Sequence, residues 1–208
     1  MKKLLFILMA FLMIAPVANA DLSKKLDKAK EKAVKVRIKQ FKKEKWNIVG
    51  SKTIDLAVLQ HYVDMDQPDE EVIEKIGVGV SKSKNNAIQM ATNNAMIAYA
   101  GDAGRSLKGR VMTDIFADGA NAEGEFDHFF AAYESLVEKE IKQEMQPSFT
   151  LYKVLPDGRY EVNTYYLVSE NKAAKARMRA LENAMKESEV ARKYAGKLSD
   201  FVKEGFNQ

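Results

Sequence analysis

Cysteine is absent from all 208 residues of the chain. Its absence excludes disulfide bonds, a thiolate nucleophile and metal sites with cysteine ligands. It also excludes the lipid anchor that bacterial lipoproteins carry on a cysteine at their cleavage site. The fold must therefore be held by burial of a core, and a chain of this length is long enough to form one.

Sequence motifs for catalysis and metal binding are missing as well. The two histidines, His61 and His128, form no H-E-x-x-H pair, and no G-x-S-x-G segment is present. The acidic run from Asp64 to Glu71 lacks the spacing of a calcium-binding EF-hand loop. We therefore expect no metal, no cofactor and no catalytic residue, and a protein that is not an enzyme.

Gly77 and Gly79 resemble the start of a nucleotide-binding loop, but Lys82 stands where that loop needs its third glycine. We interpret them instead as one face of a strand, Val72–Ser81. A helix is predicted to begin at about Ser83 or Lys84 and to run beyond Ala100, with Gly101 and Gly104 near its C-terminal end. It carries a ridge of small side chains: Ala87, Ala91, Ala95 and Ala98. We predict that the glycine face and this alanine ridge pack together.

The first 20 residues have the order of a secretory signal peptide. Two lysines precede an apolar run over residues 4–16, and small residues occupy positions 18–20. The apolar run is shorter than the about 20 residues that a bilayer-spanning helix needs. We predict export, cleavage after Ala20, and a periplasmic or secreted protein without a lipid anchor.

Positive charge is concentrated in residues 21–45. This segment holds eleven Lys and Arg against four Asp and Glu, a net charge of +7, and Lys2 and Lys3 add two more charges. Because the whole chain carries only +4, residues 46–208 carry −5. Apolar residues at spacings of three and four predict an amphipathic helix with a thin apolar stripe. We expect a lead-in helix that is separable from a single domain at 46–208.

Three roles for this lead-in helix remain open. It could rest on the domain in solvent, meet anionic lipid or an acidic partner, or form a helix–helix contact between copies. The candidate contacts with an anionic surface are Lys35, Arg37, Lys39, Lys42 and Lys43. Nucleic acid is not expected as a partner, because an exported protein rarely meets it and no platform of several aromatic side chains is interleaved with the lysines.

The rest of the chain predicts an α+β fold, in which a small, mostly antiparallel sheet is packed by two or more helices between charged N- and C-terminal helices. Thr53 is predicted to cap a helix that has Leu56, Leu59, Tyr62 and Val63 on one side. The further elements expected are an extended piece at 45–51, a strand at 111–117, a helix at 126–145, a hairpin of strands at 149–155 and 159–168, and a long helix at 171–206 with a possible break at Gly196.

The strand-to-helix segment IGVGVSKSKNNAIQMATNNAMIAYAG resembles the corresponding opening of LPP20-type lipoprotein domains. The stretch EKEIKQEMQPSFTLYKVLPDGRYEVNTYYLVSE is similar to the family's closing helix and hairpin, so the resemblance covers roughly residues 72–170. It implies an α+β domain in the bacterial cell envelope and no catalytic residues. This chain departs from the family in lacking the lipid-bearing cysteine and in having the basic lead-in.

These observations favour a non-catalytic envelope protein that acts through protein–protein or self-association surfaces. The alternative is a binding module for a small ligand or a cell-wall component. The possible ligand or partner surface consists of four aromatic residues: Trp46, Tyr160, Tyr165 and Tyr166. An enzyme is the third and least favoured class.

Overall fold

The computed structural model describes residues 18–115 and 123–205. The helices are α1 (Ala18–Lys43), α2 (Ile54–Met65), α3 (Lys84–Asp114), α4 (Glu123–Ile141), α5 (Glu170–Lys186), α6 (Glu189–Lys193) and α7 (Ala195–Glu204). The strands are β1 (Asn47–Ile48), β2 (Val72–Ser81), β3 (Gln146–Val154) and β4 (Tyr160–Ser169). Most of the predicted signal peptide, residues 1–17, lies outside the described residues.

The four strands form one antiparallel sheet in the order β1-β3-β4-β2. The expected hairpin joins β3 and β4, and Gly158 takes a φ of 81° in its turn, a conformation that favours glycine. Helices cover both faces of the sheet. The α+β fold expected from the sequence is therefore confirmed.

One face of the sheet packs against α3 in the way the glycine and alanine spacings predicted. A Cβ atom added to Gly77 would lie 1.7 Å from the backbone oxygen of Ala91, and one added to Gly79 would lie 2.1 Å from that of Ala87. Ala95 continues the buried ridge, whereas the expected fourth member, Ala98, is exposed. Glycine is required at both strand positions because the two backbones approach so closely.

Helix α3 is longer than predicted, and the strand expected at 111–117 is wrong. Residues 111–114 complete the helix, and residues 116–117 lie outside the described part of the chain. Gly101 and Gly104 do not end the helix. A Cβ atom on Gly104 would lie 2.9 Å from the carboxylate of Glu134 in α4, so this glycine allows two helices to approach closely.

The predicted C-terminal helix is divided into three, and Gly196 is not the break. Helix α5 ends at Lys186, and Ser188 caps α6 by accepting a hydrogen bond from the backbone nitrogen of Ala191. Tyr194 separates α6 from α7, which contains Gly196. These bends let the three helices wrap around α3 and α4 and bury a large apolar cluster with them, including Leu181, Leu198 and Val202.

The opposite face of the sheet is covered by α1 and α2. A smaller cluster lies there, formed by Val34, Phe41, Trp46, Ala57, Val58, Phe149, Leu151 and Tyr165. Val34 and Phe41 are buried in this cluster, so α1 packs against the sheet more closely than its thin apolar stripe suggested. The sequence pattern underestimated these contacts because few apolar side chains make them. That the lead-in is separable from the domain stays a prediction.

Candidate docking groove between two helices

Helix α2 is apolar on two sides. Ala57, Val58 and His61 face the sheet and are buried. Leu56, Leu59 and Val63 point away from the sheet and are 52%, 52% and 55% exposed. The side of α2 that the sequence marked as apolar is thus turned outward, and a second, less obvious side forms the core contact.

Helix α1 supplies the other wall of a groove along this exposed stripe. Val34 and Ile38 line the groove from α1, and Tyr62 and Met65 line it from α2 beside the exposed leucines. The groove is open to solvent and has a volume of about 990 Å³. Its lining is predominantly apolar, as in the grooves that accept amphipathic helices.

Ion pairs at both ends of the groove hold its two walls together. Lys30 Nζ lies 2.6 Å from Asp66 Oδ1 at one end, and Lys42 Nζ lies 2.7 Å from Asp55 Oδ2 at the other. The pKa of the Asp55 carboxyl is held below its ordinary value, chiefly by the hydrogen bond from Lys42. Exposed pairs of this kind contribute little to stability, typically about 0.2–1 kcal/mol. They place charged side chains at both ends of the apolar stripe.

A row of lysines runs along α1 beside the groove. Lys28, Lys32, Lys39 and Lys43 are exposed, and none forms an ion pair within the described part of the chain. Their spacings of four, seven and four residues place them on one side of the helix. Lys35, on the same side, pairs with Glu31 at 2.6 Å.

Arg37 lies on a different side of α1 and is not available to an anionic surface. Its guanidinium donates two hydrogen bonds to the carboxylate of Glu74, at 3.1 and 3.2 Å, and one to the hydroxyl of Tyr62, at 3.0 Å. It also lies over the ring of Tyr165, 4.9 Å from its centroid. Arg37 therefore joins α1 to α2 and to the sheet, which corrects its proposed role in anion contact.

The four aromatic candidates do not share a cleft. Trp46 and Tyr165 are buried in the cluster under α1 and α2, and Tyr166 is buried on the other face of the sheet, where its hydroxyl donates to Thr92 Oγ1 at 2.9 Å. Tyr160 is half-buried beside Tyr152. Tyr165 and Tyr166 are neighbours in one strand and so point to opposite faces. This corrects the expected aromatic surface.

Glu74 is a half-buried polar residue that the sequence analysis did not single out. It accepts hydrogen bonds from Arg37 and contacts His61 Nε2 at 2.5 Å. Burial opposes its ionisation, but the hydrogen bonds from His61 and Arg37 outweigh burial and hold the pKa of this carboxyl below its ordinary value. The available signal was a carboxylate on the strand face whose other positions are all apolar, namely Val72, Ile76, Val78 and Val80.

Comparison with known proteins gives no guide to function, since no family model, curated protein or solved structure matches the chain. Within residues 18–115 and 123–205, no group of acidic or histidine side chains is arranged to hold a metal ion. None of the helices in those two ranges is both long and apolar enough to cross a bilayer.

Proposed function

We propose that this chain is an exported envelope protein that binds an amphipathic helix with acidic flanks in the groove between α1 and α2. The observation that carries the proposal is the exposed stripe of Leu56, Leu59 and Val63 beside a row of lysines that have no ion-pair partners in the described structure. Each half of this surface calls for a complementary feature in the same partner: apolar side chains for the stripe and carboxylates for the lysines.

The shape of the groove favours a helix as the occupant. The exposed residues follow the spacing i, i+3 and i+7, which is the repeat that one helix presents to another. The 12 residues of α2 extend about 18 Å at 1.5 Å per residue, enough to align with three turns of a partner helix. A bound helix would complete a three-helix layer on this face of the sheet.

The charge of α1 favours an acidic partner over a second copy of this chain. A symmetric pair would bring two segments of net charge +7 to one interface. Like charges at an interface oppose association, whereas opposite charges promote it and orient the partner.

A place in the envelope rests on the signal-peptide pattern and is supported by the resemblance to LPP20-type domains over residues 72–170. The mature protein would then meet its partner outside the cytoplasm. Intact mass of the native protein tests this part directly. A chain beginning at Asp21 is expected, and a retained Met1 would contradict export with cleavage.

Two designed helical peptides test the binding proposal. Both carry leucines at i, i+3 and i+7. One has glutamates beside the leucine stripe, and the other has lysines at the same positions. We expect fluorescence anisotropy to show that the mature protein binds the glutamate peptide at least about tenfold more tightly, which is a difference of about 1.4 kcal/mol. Added salt should reduce the preference, because it screens exposed charges.

Matched variants locate the binding surface. Leu59→Asp should weaken peptide binding at least about tenfold, whereas Ile97→Asp should leave it unchanged, because Ile97 is 49% exposed but lies on α3. Lys32→Glu should weaken binding of the glutamate peptide, and Lys139→Glu on α4 should not. No binding of the glutamate peptide, or equal losses in Leu59→Asp and Ile97→Asp, would overturn the proposal.

Light scattering and vesicle binding separate the other possible occupants. A dimer in solution that Leu59→Asp abolishes would show that a second copy fills the groove. Binding to anionic vesicles, lost in Leu59→Asp and undiminished by the glutamate peptide, would show that the surface serves a membrane. Either result would overturn the assignment to an acidic helix.

A further inference from the structure

A serine, a histidine and a glutamate form a connected chain beneath α2. Ser148 Oγ lies 3.0 Å from His61 Nδ1, and His61 Nε2 lies 2.5 Å from Glu74 Oε2. Arg37 holds the same carboxylate through two hydrogen bonds. The three residues come from β3, α2 and β2, so only the folded protein brings them together.

The protons in this chain can be assigned from its charges. Glu74 is ionised at neutral pH, because Arg37 and His61 favour its charged form. A carboxylate can only accept, so His61 Nε2 must carry a proton that it donates to Glu74. When the imidazole is neutral, Nδ1 is then an acceptor, and the hydroxyl of Ser148 donates to it. The lone pairs of Ser148 Oγ are thereby left free.

The surroundings of the histidine keep it in place and shield it from water. The imidazole is fully buried. The rings of Phe149, Tyr165 and Tyr62 meet it edge-on, at centroid distances of 5.2, 6.1 and 5.8 Å. A ring fixed in this way cannot turn to exchange its two nitrogens. Nδ1 therefore faces Ser148, and Nε2 faces Glu74.

Ser148 differs from His61 in reaching the surface. The register of β3 is irregular between Pro147 and Phe149, and Ser148 lies at this bulge. Its side chain lines an open cavity of about 190 Å³, together with Lys172 and Glu144. Bulges often re-aim a side chain next to a functional site. A small molecule in this cavity could contact the serine, while the imidazole stays behind it.

We infer that Ser148 is a nucleophile for acyl transfer from small esters, with His61 as its general base and Glu74 as the residue that positions His61. This activity is independent of helix binding, because the exposed stripe of α2 lies on the opposite side from His61. The connections are those of a serine–histidine–carboxylate triad, with the two ring nitrogens used in the reverse order.

The reaction balances without a further reactant. Ser148 Oγ forms a bond to the ester carbonyl carbon as its proton passes to His61 Nδ1. The bond from that carbon to the alcohol oxygen then breaks, and the departing alcohol takes the proton from His61. The products are an ester of Ser148 and a free alcohol. Because the imidazole is shielded from water, we expect the serine ester to persist. Attack by water on this ester would release the acid and restore the serine.

The volume and charges of the cavity define the substrate class. A cavity of about 190 Å³ has room for a short acyl group. Lys172 lines it beside three carboxylate residues, Asp64, Glu70 and Glu144, so a neutral ester fits these charges better than an anionic one. An ester of a short-chain carboxylic acid fits both features.

p-Nitrophenyl acetate is the probe for this inference. We expect the mature protein to release p-nitrophenolate and to gain one acetyl group, which peptide mass mapping should place on Ser148. Ser169 lines the same cavity and serves as an internal control that stays unmodified. Ser148→Ala should lose both signals while keeping the thermal melt of the wild type within a few degrees.

A second variant tests the role of Glu74. At a temperature where circular dichroism shows each protein fully folded, Glu74→Gln should acylate at least about tenfold more slowly, and Glu74→Asp should recover part of the rate. A structural role alone would not lower the rate in a protein that remains folded. Absence of acetylation at Ser148 in the folded wild type, or an unchanged rate in Glu74→Gln, would overturn the inference.

Discussion

The two faces of the sheet are built in contrasting ways. On the α3 face, glycines and alanines bring backbones into contact, and a large apolar cluster joins α3, α4, α5, α6 and α7. On the α1 and α2 face the apolar cluster is small and an apolar stripe remains exposed. A polar chain lies beside this cluster, formed by the buried His61 and the half-buried Glu74 and Arg37.

We interpret this difference as a division of roles within one small domain. The α3 face stabilises the fold, and the α1 and α2 face is the proposed recognition surface. A close-packed face has no room for a ligand, and a change of one methylene there is felt throughout. The looser face leaves apolar area and lysines without partners in the described structure, and such surfaces mark interaction sites in soluble proteins. We therefore expect substitutions on the α3 face to change folding and those on the outer side of α2 to change binding.

A large loss of stability should come from Gly77→Ala. The new methyl group would overlap the backbone oxygen of Ala91, which cannot move without displacing α3. Overpacking usually costs about 1–3 kcal/mol and occasionally more, and we expect at least about 3 kcal/mol here. Urea denaturation measures this loss. Gly109→Ala, where a Cβ would meet open space, should instead stabilise helix α3 by about 0.5–1 kcal/mol.

Phe41→Ala should show that α1 belongs to the fold. Its ring is buried against Phe149 and Tyr165, and removing a buried phenylalanine typically costs about 3–5 kcal/mol. Val36 is 57% exposed on the same helix, so Val36→Ala should change the free energy of unfolding by no more than about 0.5 kcal/mol. If both substitutions changed the free energy of unfolding by the same small amount, the result would support the separable lead-in that the sequence predicted.

Glu74→Gln should cost about 2 kcal/mol at pH 7, the range of a hydrogen bond to a charged group. The dependence on pH has a definite sign. Because the folded-state pKa of Glu74 is lowered, its stabilising effect is complete above the ordinary glutamate pKa of about 4.3 and is lost as pH falls through the folded value. Urea titrations at several pH values should therefore show the difference between wild type and variant shrinking towards low pH. A difference that grows as pH falls would contradict the assignment of an ionised Glu74.

The smallest effect on stability should come from the exposed side of α2. Leu59→Ala should change the free energy of unfolding by no more than about 0.5 kcal/mol. Val58 is its neighbour in sequence but is completely buried, and Val58→Ala should cost about 2 kcal/mol through lost burial and the cavity left behind. A thermal or urea melt of the two variants compares the two sides of one helix. Similar losses would mean that Leu59 is buried in solution.

The features that the sequence predicted well are those with a strong local signal. Alternation along Val72–Ser81 and the small-residue spacing of the next helix indicated how the α3 face packs. Thr53 caps α2 as expected and accepts from the backbone nitrogen of Leu56 at 3.3 Å. Such signals depend on neighbours in the chain, so a single sequence shows them.

The features that were missed depend on contacts between distant segments. Both sides of α2 carry apolar residues, so periodicity alone could not tell which side meets the sheet. The sequence placed Gly104 near a helix end. Its contact with Glu134 is made to another helix, so it leaves no local signal in the sequence. The chain from Ser148 to Glu74 joins residues 13 and 87 positions from His61, and no spacing rule covers it.

Amide hydrogen exchange of the mature protein, with and without the glutamate peptide, tests the central claim most directly. Binding in the groove should slow exchange in α2 and in the second half of α1, because a bound helix would stabilise both walls against local opening. Exchange in α3 and in the strands should stay the same. Slowed exchange confined to other elements, or none at saturating peptide, would contradict the proposal that the α1 and α2 face is the recognition surface of this protein.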